Sequence, residues 1–289
     1  MGAMPAGRSD EHVHTHLSDG FASPEEVVRR AGELGLARIA ITDHDCLDAH
    51  RERAWGPAPE VEVVAGVEID CDLAGLDVEI LGFGFDPNAA ALVDPLARVQ
   101  AGRHARFRFY CERAARAGEP IDPGCVSGAH TRSPLKVHLF RVLQANGRRF
   151  PGGYAEFKRM LASLGEPPPL DRPSAAEAAG WVRAAGGHAL LAHPLYYARR
   201  AGWLALLEAA RAAGCVGAEL AYPYDAGDSA LPAEEIAREL RELAATLARV
   251  FPGGARVSSG SDVHDLAEWE TRLEQVARWR QVVDPRAAC

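Results

Sequence analysis

Apolar residues recur along this chain in two rhythms. After Ser23, the positions Val27, Val28, Ala31 and Leu34 recur at helical spacing. Ser23 is placed to cap that helix, Pro24 fits its first turn, Glu26 completes a capping box and Gly35 ends it. A short apolar run, Leu36 to Ile41, reads as a strand leading into Thr42-Asp43-His44-Asp45. A third strand, Val61 to Val67, ends in Glu68, and a fourth, Val78 to Phe85, carries Glu79 among apolar neighbours. This alternation predicts parallel strands with helices packed outside.

The stretch from about 86 to 172 changes character. Leu92 to Gly118 reads as a helix rich in arginine (Arg98, Arg103, Arg106, Arg108, Arg113, Arg116), most of it facing solvent or surface partners. A second helix starts near Pro134 and carries Lys136, His138, Phe140 and Leu143, and a third runs from Ala155 to Leu164. We read the block as a helical insertion, because the strand rhythm resumes after it. A helix from Ser174 to Ala185 ends at Gly186-Gly187, and the strand His188 to Ala192 delivers His193-Pro194. A helix from Trp203 to Ala213, a strand from Val216 to Leu220 and a long helix from Ala233 to Val250 follow. Arg256 to Ser259 then leads into Gly260-Ser261-Asp262-Val263-His264, and Trp269, Leu273, Val276 and Trp279 mark a final amphipathic helix. The expected organisation is one domain over 10–289 behind a loose tail of residues 1–9.

Composition narrows the function. The 289 residues are 47% hydrophobic and 25% charged, as in an ordinary globular protein, and no apolar run approaches the roughly 20 residues of a membrane span. The N-terminus has no basic region followed by an apolar core, so no signal peptide is expected and the cytoplasm is the expected location. A net charge of -8 argues against an extended nucleic-acid surface but permits a small phosphorylated substrate held by local cations. The six cysteines form no C-x-x-C pair and read as reduced thiols, and nothing marks Cys46 as a nucleophile.

Candidate chemistry gathers where strands end. His12 and His14, two residues apart, share one face of a strand, and Asp19 follows just beyond. His44, Glu68, His193, Asp262 and His264 all stand at later strand exits. Each has an ordinary structural explanation by itself. Four histidine-bearing segments and several acids on one rim of a parallel α/β arrangement point jointly to a metal centre.

The segments Asp10-Glu11-His12-Val13-His14, Ser18-Asp19-Gly20, Thr42-Asp43-His44-Asp45, Gly66-Val67-Glu68, Leu191-Ala192-His193-Pro194 and Gly260-Ser261-Asp262-Val263-His264 resemble, in order, the motifs of the PHP (polymerase and histidinol phosphatase) superfamily. The helical block and the Gly-Gly before the His193 strand resemble its stand-alone phosphoesterases acting on nucleotides. The resemblance implies a distorted (β/α)7 barrel and two or three divalent ions, with manganese, iron or zinc as candidates. It assigns His12, His14, Glu68 and Asp262 to one ion, Asp19, His44 and His264 to a second with Glu68 bridging or nearby, and His193 to a third. Where related sequences place a histidine before Ile-Leu-Gly, this chain has Glu79. An unpaired carboxylate is costly in an apolar strand, so Glu79 is expected to be a ligand, favouring a harder ion.

Related sequences also carry Arg-Pro-His where this chain has Lys136-Val137-His138. Lys136 and His138 are therefore candidates for substrate binding and catalysis, with Arg132 and Arg199 as weaker phosphate-binding candidates and His193 or His264 as proton donors. The implied reaction is attack of a metal-bound hydroxide on a small phosphomonoester such as a nucleoside monophosphate. The alternatives are an exonuclease trimming short oligonucleotides, a histidinol-phosphate phosphatase, and a non-catalytic metal-binding module. Oligomeric state has no signal in the sequence.

Overall fold

The computed structural model describes residues 8–56, 60–119, 131–226 and 231–283. Residues 1–7 of the expected tail, Cys125 and Cys289 lie outside these. Arg8 and Ser9, expected in the tail, instead open the first strand, β1 (Arg8–Val13).

Among the described residues, seven strands form one sheet in chain order. β1 lies parallel to β2 (Leu36–Ile41), and β2 parallel to β3 (Glu62–Leu73). β4 (Leu76–Phe83) is antiparallel to both β3 and β5 (His188–Leu191). β6 (Gly217–Ala221) and β7 (Arg256–Ser259) return to the parallel direction. This corrects the all-parallel expectation. The third strand does not stop at Glu68 but continues to Leu73 and folds back through Ala74 and Gly75, whose φ angles of 54° and 84° make a two-residue hairpin turn. The consequence is chemical. Glu68 and Asp70 share a face, and Asp70 lies opposite Glu79 in the antiparallel register, which brings three carboxylates to one side.

Among the described residues no β1–β7 ladder closes the sheet. Its edges meet through the segment after β7, where Val13 and Val263 form a single parallel bridge. The His14 amide donates to Val263 O (3.0 Å) and the Asp262 amide to His12 O (2.8 Å). The buried Asp10 carboxylate secures this seam, accepting from Ser261 N (2.9 Å), Ser261 Oγ and Trp269 Nε1 (2.6 Å). Burial raises the Asp10 pKa, and these donors oppose the rise.

Helix α1 (Pro24–Glu33) forms with the Ser23–Glu26 capping box, and packs Val27, Val28 and Ala31 against β2 and β3 residues. The short helix α2 (Asp48–Glu52) has no counterpart in the sequence reading. Helix α3 (Ala90–Arg116) divides the expected insertion. Its first half enters the main core through Leu92 and Leu96, among residues of α6 (Ala175–Ala184). From Phe107 onward it joins α4 (Lys136–Ala145) and α5 (Gly153–Ser163) around Leu139, Phe157 and Leu161. Helices α7 (Leu195–Ala201), α8 (Trp203–Ala213) and α9 (Ala233–Val250) cover the β5–β7 half, and α10 (Trp269–Val283) seals the seam. No helix among the described residues is long and apolar enough to cross a membrane.

His50, on α2, ties two strands just below the rim. Its Nε2 is 2.8 Å from Ile41 O and 3.1 Å from Gly66 N. Burial pushes its pKa below 6.5, outweighing these backbone contacts. A histidine depressed in the folded state leaves the unfolded chain to take up the proton first, so its stabilisation is complete above about pH 6.5 and is lost as pH falls below it. The unfolding free-energy gap between wild type and His50→Gln should therefore shrink from pH 7.5 to 5.5, by at most about 1.4 kcal/mol per pH unit. Urea titrations at the two pH values measure it, and a constant gap contradicts the assignment.

Candidate metal centre

Strand ends and the turns behind them bring the predicted side chains to one rim. His12, His14, Glu68 and Asp262 form one group whose possible ligand atoms lie within 4.8 Å of one another, and His14, Asp19, His44 and His264 form another. Glu68, Glu79 and His193 form a third, and His44, Asp70 and Glu79 a fourth, by the same measure. Asp70 is the member that the sequence reading missed. Its signal was available: a second acid two residues beyond Glu68 shares its face if the strand continues.

The contacts fit divalent cations. Glu68 Oε2 is 3.2 Å from His12 Nε2, 3.2 Å from His14 Nε2 and 3.5 Å from His44 Nδ1. Asp262 Oδ1 is 3.4 Å from His12 Nε2 and 3.0 Å from His14 Nε2. Yet these three imidazole nitrogens are buried without a well-formed hydrogen bond. Orphaned ring nitrogens facing carboxylate oxygens across a shared gap are what a bound cation satisfies, and the mixed nitrogen and oxygen donors suit zinc, manganese or iron. Electrostatics agree. Burial disfavours protonated His12 and His14, but the surrounding carboxylates prevail, lifting His12 well above its ordinary value and His14 to about 10. Burial likewise opposes ionised Asp19 and Glu68, and the imidazoles still hold both well below the carboxylate range. The cluster demands positive charge.

A further layer of residues aims these candidate ligands. Glu219 Oε1 lies 3.2 Å from His12 Nδ1, leaving Nε2 to face Glu68, and Glu219 Oε2 accepts the His193 amide (2.9 Å). Asp43 accepts from Thr15 N (2.8 Å), Thr15 Oγ1 (2.7 Å) and Ser18 Oγ (2.6 Å), fixing the turn that presents Asp19. Tyr222 donates to Asp262 Oδ2 (2.7 Å). Arg103, one of six arginines read as mostly exterior, is buried and binds both Asp45 and Asp70. Burial still lifts Asp45 to about 6 against that guanidinium. His193 and Asp262 both take positive φ, 25° and 50°, a backbone cost met where function fixes the geometry.

A cavity of about 540 Å³ opens beside the cluster. Asp19, His44, Asp70 and Glu79 line it together with Arg106, Lys136, Arg172, Phe107, Tyr110, Phe140 and Tyr154. Lys136 therefore faces the same space as the ligands. Burial lowers its pKa, and Arg106, Lys158 and Arg172 lower it further. His138 is engaged elsewhere: its Nδ1 accepts the Leu135 amide (2.9 Å) and its Nε2 donates to Ser18 O (2.8 Å). Burial lowers the pKa of the ring, and Arg141 adds to the effect. Arg132 pairs with Asp48 and Glu52, Arg199 pairs with Glu235, and neither lines the cavity. Cys46 is buried, which raises its thiol pKa far above the ordinary value.

Residues 10–122 match a family model described as the PHP domain. A 5'-3' exoribonuclease of Haemophilus influenzae is 31% identical over 90% of this chain and 91% of its own length. A 3',5'-nucleoside bisphosphate phosphatase of Chromobacterium violaceum is 32% identical over 65% of this chain and 67% of its own. Among solved structures, a protein of Bifidobacterium adolescentis described as a putative metal-dependent phosphoesterase superposes with a TM-score of 0.68 at 26% identity, covering 90% of this chain and 88% of that one.

Gly260 offers a direct test of how the rim is built. A Cβ there would lie 2.1 Å from His12 Cβ and 2.6 Å from His12 N. Gly260→Ala should cost at least about 1–3 kcal/mol and push His12 from the cluster. Thermal melts with and without Mn2+ should show a lowered midpoint and most of the ion-induced stabilisation lost. A wild-type response to Mn2+ contradicts this placement.

Proposed function

We propose that this chain, which belongs to the PHP domain family and is a metal-dependent phosphoesterase, acts on a small phosphomonoester of nucleotide type. The observation that carries the reading is the cavity, lined both by the candidate metal ligands Asp19, His44, Asp70 and Glu79 and by Arg106, Lys136, Arg172 and several aromatic rings. The volume suits a mononucleotide, the cations suit phosphate, and the aromatic rings suit a base.

In this reading His12, His14, Glu68 and Asp262 hold one divalent ion, Asp19, His44 and His264 a second, and Glu79 and His193 with Glu68 a third. Divalent ions supply Lewis-acid polarisation of the phosphoryl oxygens and a water acidic enough to act near neutral pH. The protein's own residues do the rest. Glu219 and Tyr222 aim His12 and Asp262, and His138 braces α4 against the turn that carries Asp19. Lys136 and Arg106 draw in the anionic substrate and hold it by charge. The aromatic rings exclude water from one side. We read residues 10–289 as one unit whose insertion, about 86–172, overhangs the cavity, and the edge contact at Val13 and Val263 as the seam of a distorted (β/α)7 barrel.

The named activities of the relatives bear on the choice of substrate. The Chromobacterium violaceum protein is a nucleoside bisphosphate phosphatase, which supports a substrate with more than one phosphate. The Haemophilus influenzae exoribonuclease matches over more of the chain and favours a second reading, removal of terminal nucleotides from short RNA. Histidinol phosphate fits less well, because its protonated amine would meet Arg106, Lys136 and Arg172.

Phosphate or nucleotide release should be compared across nucleoside monophosphates, nucleoside 3',5'-bisphosphates, histidinol phosphate and short 5'-phosphorylated RNA, with Mn2+ present. Turnover is expected on the nucleotides. Lys136→Ala and Arg106→Ala should each raise KM for the preferred one by about ten-fold or more, with kcat changing less. Unchanged KM in both variants, or preference for histidinol phosphate, contradicts the reading of the cavity.

A further inference from the structure

We propose that Tyr197 is the positioning residue of a separate cation position formed by Glu68, Glu79 and His193; the inference rests on the metal-dependent reading above. Tyr197 lies on α7, four residues after His193. Its hydroxyl oxygen is 3.0 Å from Glu79 Oε2, 3.1 Å from His193 Nδ1 and 3.2 Å from the Glu79 amide nitrogen. A phenol has one proton to donate and two lone pairs with which to accept. The Glu79 amide takes one lone pair. The phenolic proton is donated to Glu79 Oε2. The remaining lone pair faces His193 Nδ1, which therefore carries its hydrogen.

That assignment decides which nitrogen is left for a ligand. With Nδ1 committed to Tyr197, Nε2 is the free donor, and it lies 3.1 Å from Glu68 Oε1 and 3.0 Å from Glu79 Oε2. One hydroxyl thus fixes the His193 tautomer and ring rotation together with the turn of the Glu79 carboxylate. The position is distinct from its neighbour, because the other oxygen of Glu68, Oε2, is the one that faces His12 and His14. Two carboxylates and one imidazole make this the most oxygen-rich of the groups that contain Glu68, suited to a harder ion such as Mn2+.

The test is Mn2+ titration of the full chain, by calorimetry and by the electron paramagnetic resonance of free Mn2+. Tyr197→Phe keeps the ring and removes the hydroxyl. It should weaken one class of site about 10- to 100-fold and leave the others unchanged. Glu79→Ala should weaken the same class, and the double variant should lose little more than Glu79→Ala alone. A readout needing no variant is the long-range 1H–15N spectrum of the Zn2+-loaded wild type, where His193 should carry its proton on Nδ1. Superimposable isotherms for wild type and Tyr197→Phe, or metallation of His193 through Nδ1, overturn the proposal while leaving the other ions in place. A wild type that binds no Mn2+ overturns the metal-dependent reading along with it.

Discussion

One carboxylate, Glu68, stands within 3.5 Å of nitrogens from four imidazoles, His12, His14, His44 and His193. It is almost wholly buried, and among the described residues no arginine or lysine pairs with it directly. A charge held this deep needs positive partners, and much of the rim is arranged to deliver them. The β1 end supplies two histidines, the β2 exit a third and the β5 exit a fourth. The parallel neighbours of β1 and β5 bring these exits to the same side of the sheet, while the antiparallel β3–β4 hairpin adds Asp70 and Glu79. Strand direction therefore sets the ligand inventory.

The same constraint explains the buried polar scaffolding beneath the rim. Asp10, Asp43 and Glu219 each accept backbone or side-chain donors from segments distant in sequence, and each fixes a loop that carries a candidate ligand. A ligand set with several negative charges must resist collapse or rotation, and loops held only by apolar contacts would not fix imidazole orientation. Arg103 plays the opposite part, reaching from α3 to restrain Asp45 and Asp70. Helices α3 and α4 thus contribute both cations that line the cavity and a charge that steadies the acidic face.

Much of this was legible in the chain itself, because much of it is local. The Ser23–Glu26 capping box, the strand Leu36–Ile41 and the helices Trp203–Ala213 and Ala233–Val250 follow from signals within a few residues, and the structure places them where those signals indicate. The candidate ligands were visible as polar residues interrupting apolar strands. What escaped was non-local or disguised. Ala74 takes positive φ without being glycine, so the β3–β4 turn, and with it Asp70, looked like a gap between separate strands. Arg103 cannot be told from five neighbouring arginines until its partners are in place. Glu219 and Tyr222 act through atoms contributed by residues 26 to 207 positions away, a distance over which sequence pattern says nothing.

Metal dependence is tested most directly by the phosphate release of protein stripped of metal with a chelator, then reloaded with Mn2+, alongside elemental analysis of both samples. Turnover of a nucleotide phosphoester should vanish on stripping and return as ions rebind to the histidine–carboxylate cluster. Turnover unaffected by complete removal of metal contradicts that dependence.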